Sequence, residues 1–280
     1  MIKDIFVPIT ATAADEGALA HGIALASRLQ AHLAVLELVS LPAPAVDPWG
    51  LTPDPGMVAL YDDLRETGKR NAAKLRTRLE KEGISWEVRL DESLVGDPAR
   101  LAAQHALYAD FSIVGIPDAD QPGARTAYGY FEALLFESGR PVLTVPAQAT
   151  PPLSSGHVVV AWHPAREAAR ALNDALPLLA SATSVDVVHV AAAGGAARGE
   201  GDAGLDISLH LARHGLEVNT VSRPRVADSV ALTLLQHCRE SGAQLMVAGG
   251  YGHSRAREWL LGGTTRELLR RSPVPMLFAH

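Results

Sequence analysis

The sequence predicts two tandem, doubly wound α/β domains, and three observations predict them. Short β-branched runs alternate with Ala/Leu-rich stretches at helical spacing, the pattern of right-handed βαβ crossovers that build a mainly parallel sheet covered on both faces. The order of these runs is written twice along the 280 residues. The later parts of the two copies align without gaps at an offset of 134 residues: Ala109–Gly115 (ADFSIVG) lies on Ala243–Gly249 (AQLMVAG), and Ser138–Leu143 (SGRPVL) on Ser272–Leu277 (SPVPML).

The first copy opens with the strand-like run Ile2–Thr10 and a helical run over Glu16–Leu29, then a strand over His32–Val39. A proline-rich loop leads into a long amphipathic helix over Met57–Gly83, followed by a strand over Ser85–Leu90. The second copy opens with His157–Pro164 (HVVVAWHP) and a helix over Arg166–Ala180, then a strand over Ser184–Ala191. A Gly/Ala-rich connection over residues 191–204, a shorter helix over Leu205–Gly215 and a strand over Leu216–Ser222 come next. Asp97 and Asp228 each precede a helical run and read as N-caps, accepting from unpaired helix-start amides. The Pro/Ser/Gly-rich joint Pro146–Gly156 separates the copies, so the domains are expected at residues 1–150 and 151–280. The last strand of each copy is short and apolar and leaves an edge able to pair.

Composition narrows the function. With 48% hydrophobic and 20% charged residues the chain can bury a sizeable core. A net charge of -6 argues against nucleic acid or an anionic membrane as the default partner. No stretch approaches the ~20 apolar residues of a membrane span. Cys238 is the only cysteine, so neither an intrachain disulfide nor a thiolate zinc set can form, and it reads as a packed thiol. The start of the chain shows no signal-peptide pattern, and a cytoplasmic protein is expected. His210 and His214 have H-x3-H spacing but lack the glutamate of the H-E-x2-H motif between them, and no metal site is expected. Ser138, Ser254 and Ser272 lack the G-x-S-x-G elbow, and no catalytic residue is assigned.

The stretch Gly249–Leu268 (GGYGHSRAREWLLGGTTREL) carries the candidate chemistry. Gly249 ends a buried strand, where open α/β sheets place their ligands. Gly252 and Gly262 permit close backbone approach, and GTTRELL starts a helix whose free N–H groups attract an anion. Thr264 and Thr265 add hydroxyls there, and Arg255 and Arg257 add positive charge. Two familiar phosphate motifs fail on counting. Arg257 stands where the Walker pattern needs its second glycine, and Gly250-Tyr251-Gly252 lacks the third glycine of the dinucleotide fingerprint.

The spacing that fits is G-x2-G-x9-G, at Gly249, Gly252 and Gly262, and with it the sequence resembles the universal stress protein family over essentially its whole length, as two tandem copies. The resemblance implies adenine nucleotide alpha hydrolase-like domains that dock through their last strands as an intrachain pseudo-dimer. It is also compatible with a homodimer of tandem chains. It implies a stress-response regulator or sensor that binds ATP or a related adenine nucleotide in the second domain, with Mg accompanying it, and acts through a regulatory protein partner. The contacts it implies are Ala161, Trp162, His163, Val190, Gly249, Tyr251, Gly252, Gly262, Gly263, Thr264 and Thr265.

This chain departs from the pattern at two of those positions. Gly263 stands where the family has Ser or Thr, leaving only a backbone N–H there. His163 stands where the family has Asp or Asn facing the adenine, and it reads equally as a base contact or a solvent-facing loop residue. In the first copy Asp118 and Tyr128 replace the glycines at 252 and 262, Thr10 takes the base-facing place, and the cradle is lost. Tyr128, Tyr130 and Phe131 are expected to pack in the core. Two other readings stand beside this one: an interaction protein with both sites degenerate, and a slow nucleotide hydrolase using His253 or Glu258.

Overall fold

The computed structural model describes residues 1–43, 55–94, 96–149, 156–191, 200–251 and 263–280. In the first half β1 (Asp4–Pro8), β2 (His32–Leu41), β3 (Ser85–Leu94), β4 (Phe111–Ile116) and β5 (Val142–Pro146) alternate with α1 (Asp15–Leu29), α2 (Pro55–Leu79), α3 (Pro98–Ala106) and α4 (Ala124–Glu137). In the second half β6 (His157–Ala161), β7 (Ser184–Val190), β8 (Val218–Arg223), β9 (Leu245–Gly249) and β10 (Met276–Ala279) alternate with α5 (Arg166–Leu179), α6 (Glu200–Arg213), α7 (Val230–Ser241) and α8 (Thr264–Arg271).

All ten strands form one sheet in the order β3-β2-β1-β4-β5-β10-β9-β6-β7-β8. Pairing is parallel within each half and antiparallel only where β5 meets β10. The expected tandem, doubly wound fold and its intrachain pseudo-dimer are therefore both present. At the junction Leu277 lies opposite Leu143, two residues related by the 134-residue repeat, so a pseudo-two-fold axis passes between them. Each half thereby covers an edge that would otherwise expose unpaired backbone groups. One apolar core lies on each face of the sheet, and both run through the two halves. The boundary expected near residue 151 falls outside the described residues.

Most elements form where the patterning places them. Asp97 caps α3, its carboxylate accepting from the Ala99 amide at 2.9 Å. Asp228 does not cap α7. It sits at φ 55°, and the next residue, Ser229, accepts from the Leu232 amide instead. Helix α6 begins at Glu200, inside the connection expected over residues 191–204. Cys238 is buried, and burial pushes its thiol up to about 12, consistent with a packed, unreactive group. Phe131 and Tyr130 are buried in the core and Tyr128 is half-buried.

One polar cluster lies within the second half. Asp186 on β7 receives Asn219 Nδ2 at 3.1 Å and His237 Nε2 at 2.8 Å, with His157 Nε2 at 3.0 Å. Arg223 donates to the other nitrogen of His237, at 2.9 Å, so His237 keeps its proton on Nε2, facing Asp186. Burial pushes the Asp186 carboxyl up, but the bonds from Asn219 and His237 and the nearby His157 outweigh it and hold the group below its ordinary 3.8. A carboxyl depressed on folding stabilises above its unfolded value of about 3.9 and loses that contribution as pH falls through the folded value. Asp186→Asn should therefore lower stability by about 1–3 kcal/mol at neutral pH. Its urea midpoint should converge on that of the wild type below about pH 4.

Candidate functional site

In the second half the chain runs outward from β6 to β7 and β8, then returns through β9 to β10. The direction of winding therefore switches between β6 and β9. The carboxyl ends of the strands at such a point leave a crevice, the usual ligand position in open α/β sheets. Here it is a cavity of about 230 Å³. Ala161, Trp162 and His163 come from the end of β6, and Val188, His189 and Val190 from the end of β7. Ala248 and Gly249 come from β9, Val230 and Leu234 from α7, and Thr264, Thr265 and Leu268 from α8. The wall is mainly apolar, with polar groups at the strand ends from Trp162, His163 and His189 and at the start of α8 from Thr264 and Thr265.

Gly263 is the N-cap, at φ -47° and ψ 160°, and among the described residues no side-chain cap bonds the start of α8. The starts of α1, α4 and α5 likewise lack a side-chain cap, whereas α3 and α7 are capped by Asp97 and Ser229; what sets α8 apart is that its start lines the cavity. Uncapped N–H groups and the positive end of the helix dipole together favour a bound anion. Thr264 is exposed at this end, whereas Thr265 is buried and its Oγ1 accepts from the Tyr251 amide at 3.2 Å. Only the Thr264 hydroxyl is turned to solvent.

The β6 end supplies two different side chains. The Trp162 indole N–H is buried and has no hydrogen-bond partner among the described residues, a state that costs about 1–3 kcal/mol. His163 is 55% exposed, with Nε2 3.6 Å from the buried Glu167 carboxylate in the first turn of α5. Its imidazole stands at the cavity rim beside a buried acid.

Gly249 is glycine for a reason unrelated to a ligand. A Cβ there would lie 2.8 Å from the Ala168 amide nitrogen and 2.9 Å from the Glu167 carbonyl carbon, so the start of α5 rests directly on the end of β9. Gly115, its counterpart in the first half, touches the Ala14 carbonyl in the same way.

The residues implied at Ala161, Trp162, His163, Val190, Gly249, Thr264 and Thr265 are thus brought together around one cavity, with Gly263 directly before its helix. Gly252 and Gly262 lie outside the described residues, as do His253, Ser254, Arg255, Arg257 and Glu258. The Tyr251 side chain turns to α4 in the first half, where its hydroxyl donates to Glu132 at 3.0 Å. Sequence reasoning missed Val188, His189, Val230, Leu234, Ala248 and Leu268. Val230 and Leu234 stand one helical turn apart on α7, a spacing that reads as core, so nothing in it signals a cavity wall.

The first half closes the equivalent place. The Asp15 carboxylate accepts from the Thr10 amide at 3.1 Å, the Thr10 hydroxyl at 2.6 Å and the Thr12 amide at 3.0 Å. The hydroxyl at the base-facing position is thereby occupied. At the 134-residue offset Tyr130 stands where Thr264 does, but it lies inside α4, which starts at Ala124. A residue inside a helix offers no free amides, so the position equivalent to Thr264 supplies no anion cradle.

Residues 155–280 match the universal stress protein family. The second half of the chain belongs to that family. No curated protein matches the chain. Among solved structures, a universal stress protein from Archaeoglobus fulgidus DSM 4304 is 18% identical, with 99% of this chain and 95% of that chain covered at a TM-score of 0.74. A protein described as a universal stress protein from Pseudomonas aeruginosa UCBPP-PA14 is 16% identical, with 99% and 93% covered at 0.62. A functionally unknown protein from Pseudomonas aeruginosa PAO1 is 16% identical, with 99% and 92% covered at 0.59. Identities this low establish the shared fold. The whole-chain coverage extends that fold to the first half.

Proposed function

We propose that the second, universal stress protein half binds ATP or a related adenine nucleotide, and that the chain acts as a nucleotide-dependent stress regulator through a protein partner. The uncapped start of α8 at the mouth of an apolar cleft carries this reading. The cleft takes the base and ribose against Ala161, Val190 and Trp162. The phosphates lie at the rim, on the α8 amides and the Thr264 hydroxyl. At about 230 Å³ the cavity is smaller than the roughly 300–1,000 Å³ of pockets that enclose a drug-sized ligand, which suits a nucleotide bound with its phosphates outside. Among the described residues no group of His, Cys, Asp or Glu is placed to hold a metal ion. Mg would therefore arrive bound to the nucleotide's phosphates.

Calorimetric titration of the full chain with ATP, with and without magnesium, tests the proposal and should show saturable binding. An absence of heat at high micromolar nucleotide would leave the interaction-protein reading. Thr264→Glu separates binding from folding. An acid in the first turn complements the helix dipole, so stability should hold or rise by about 0.3–1 kcal/mol. The same charge repels phosphate, so ATP affinity should fall at least about tenfold.

A further inference from the structure

Tyr251 leaves the sheet at the end of β9 with a φ of 51°, a left-handed conformation that a non-glycine residue keeps only where its surroundings over-determine it. The surroundings here come from both halves of the chain. Its backbone N–H donates to Thr265 Oγ1 at 3.2 Å, at the helix start that lines the cleft. Its hydroxyl donates to Glu132 Oε1 at 3.0 Å, and its ring meets Phe136 at 5.1 Å between centroids and Phe131 at 6.5 Å, all three on α4 of the first half. The preceding residue is clamped too. The Gly250 N–H donates to the Ala279 carbonyl at 2.8 Å, and a Cβ at Gly250 would lie 2.8 Å from Leu135 of α4.

We infer that Tyr251 is a positioning residue that couples the cleft of the second half to the first half. Its backbone fixes Thr265 at the anion-binding helix end, while its side chain is anchored 119 residues away in the chain on Glu132. The half whose own cradle is closed thus serves as the wall that sets its neighbour's site. Coupling of this kind is reciprocal: whatever loads the start of α8 tightens the seam at α4, and whatever loosens α4 weakens binding. The inference rests on reading the cleft as a nucleotide site. The coupling itself is measurable without nucleotide.

The test compares Tyr251→Phe, which removes only the hydroxyl, with Glu132→Leu, which removes the acceptor, and Glu132→Gln, which keeps one. In the nucleotide-free full chain, amide hydrogen exchange over residues 264–268 should rise roughly tenfold in Tyr251→Phe and Glu132→Leu, within the 5- to 150-fold range of site-to-site couplings. Glu132→Gln should restore the wild-type rate, and exchange in β6 and β7 should not change. ATP affinity, titrated by calorimetry, should fall by a similar factor in the first two variants and recover in the third. Unchanged exchange at 264–268 in both Tyr251→Phe and Glu132→Leu overturns the inference, as does a uniform rise across the whole second half. A wild-type chain that takes up no ATP overturns the nucleotide reading, and the exchange comparison still decides the coupling.

Discussion

Gly115→Ala is expected to destabilise the chain by about 3 kcal/mol, the upper end of typical overpacking losses, and Gly249→Ala by about 2 kcal/mol for the same reason. The added Cβ at 115 would overlap the Ala14 carbonyl and approach the Ala14 Cβ at 2.9 Å. Helix α1 cannot back away easily, because Asp15, its first residue, is bonded through its carboxylate to Thr10 and Thr12. At 249 the colliding atoms are the Ala168 nitrogen and the Glu167 carbonyl carbon, also backbone. At about 2–4 °C per kcal/mol for a chain approaching this size, the melting temperature should fall by roughly 6–12 °C for Gly115→Ala. Scanning calorimetry checks both variants, and melting within a degree of wild type would refute the argument. The first glycine of the G-x2-G-x9-G pattern is thus required by strand-helix contact in both halves, including the half where the rest of the pattern is absent. Its presence is weak evidence for a ligand, and the weight shifts to the uncapped start of α8.

The fold was legible because the repeat constrains it. A gapless offset of 134 residues predicts that β5 and β10 occupy equivalent places, and Leu143 opposite Leu277 is what that equivalence becomes when two edges pair. Much of the cleft was legible because the family resemblance implies contacts at strand ends and at a helix start, all of them within one copy of the repeat. The α7 side was not, because Val230 and Leu234 have the spacing of any buried helix face and only the third dimension shows that they border space. Tyr251 was legible as a neighbour of the glycines but not in its direction. Its partners Phe131, Glu132 and Phe136 belong to the other copy of the repeat, and no pattern within one copy points at them. Asp228 and Ser229 show the limit at finer scale. Both residue types cap helices well, and the backbone turn at Asp228, with φ 55°, decides between them.

Phe278→Ala is expected to cost about 3–5 kcal/mol, the range for a buried phenylalanine truncated in a packed core, and to change how the chain unfolds. Phe278 on β10 and Phe131 on α4 are both fully buried and meet edge to face, with ring centroids 5.3 Å apart and planes at 72°. A pair in that geometry adds about 0.5–1.5 kcal/mol beyond its buried area. The backbone register joining β5 to β10 spans only three residue pairs, Met276 with Thr144, Leu277 with Leu143 and Phe278 with Val142. Side chains must therefore carry much of the coupling between the halves, and Phe278 belongs to both the strand pairing and the aromatic contact. Removing its ring should weaken the seam more than either half, so that one unfolding transition broadens or divides into two. Phe111→Ala makes the comparison, since Phe111 is equally buried but lies on β4 inside the first half, away from the junction. It should lose comparable stability with its cooperativity less affected. In scanning calorimetry the ratio of van't Hoff to calorimetric enthalpy should drop for Phe278→Ala and much less for Phe111→Ala. A single sharp transition for Phe278→Ala would mean that the halves are held together chiefly by the three backbone pairs and the contacts of Tyr251.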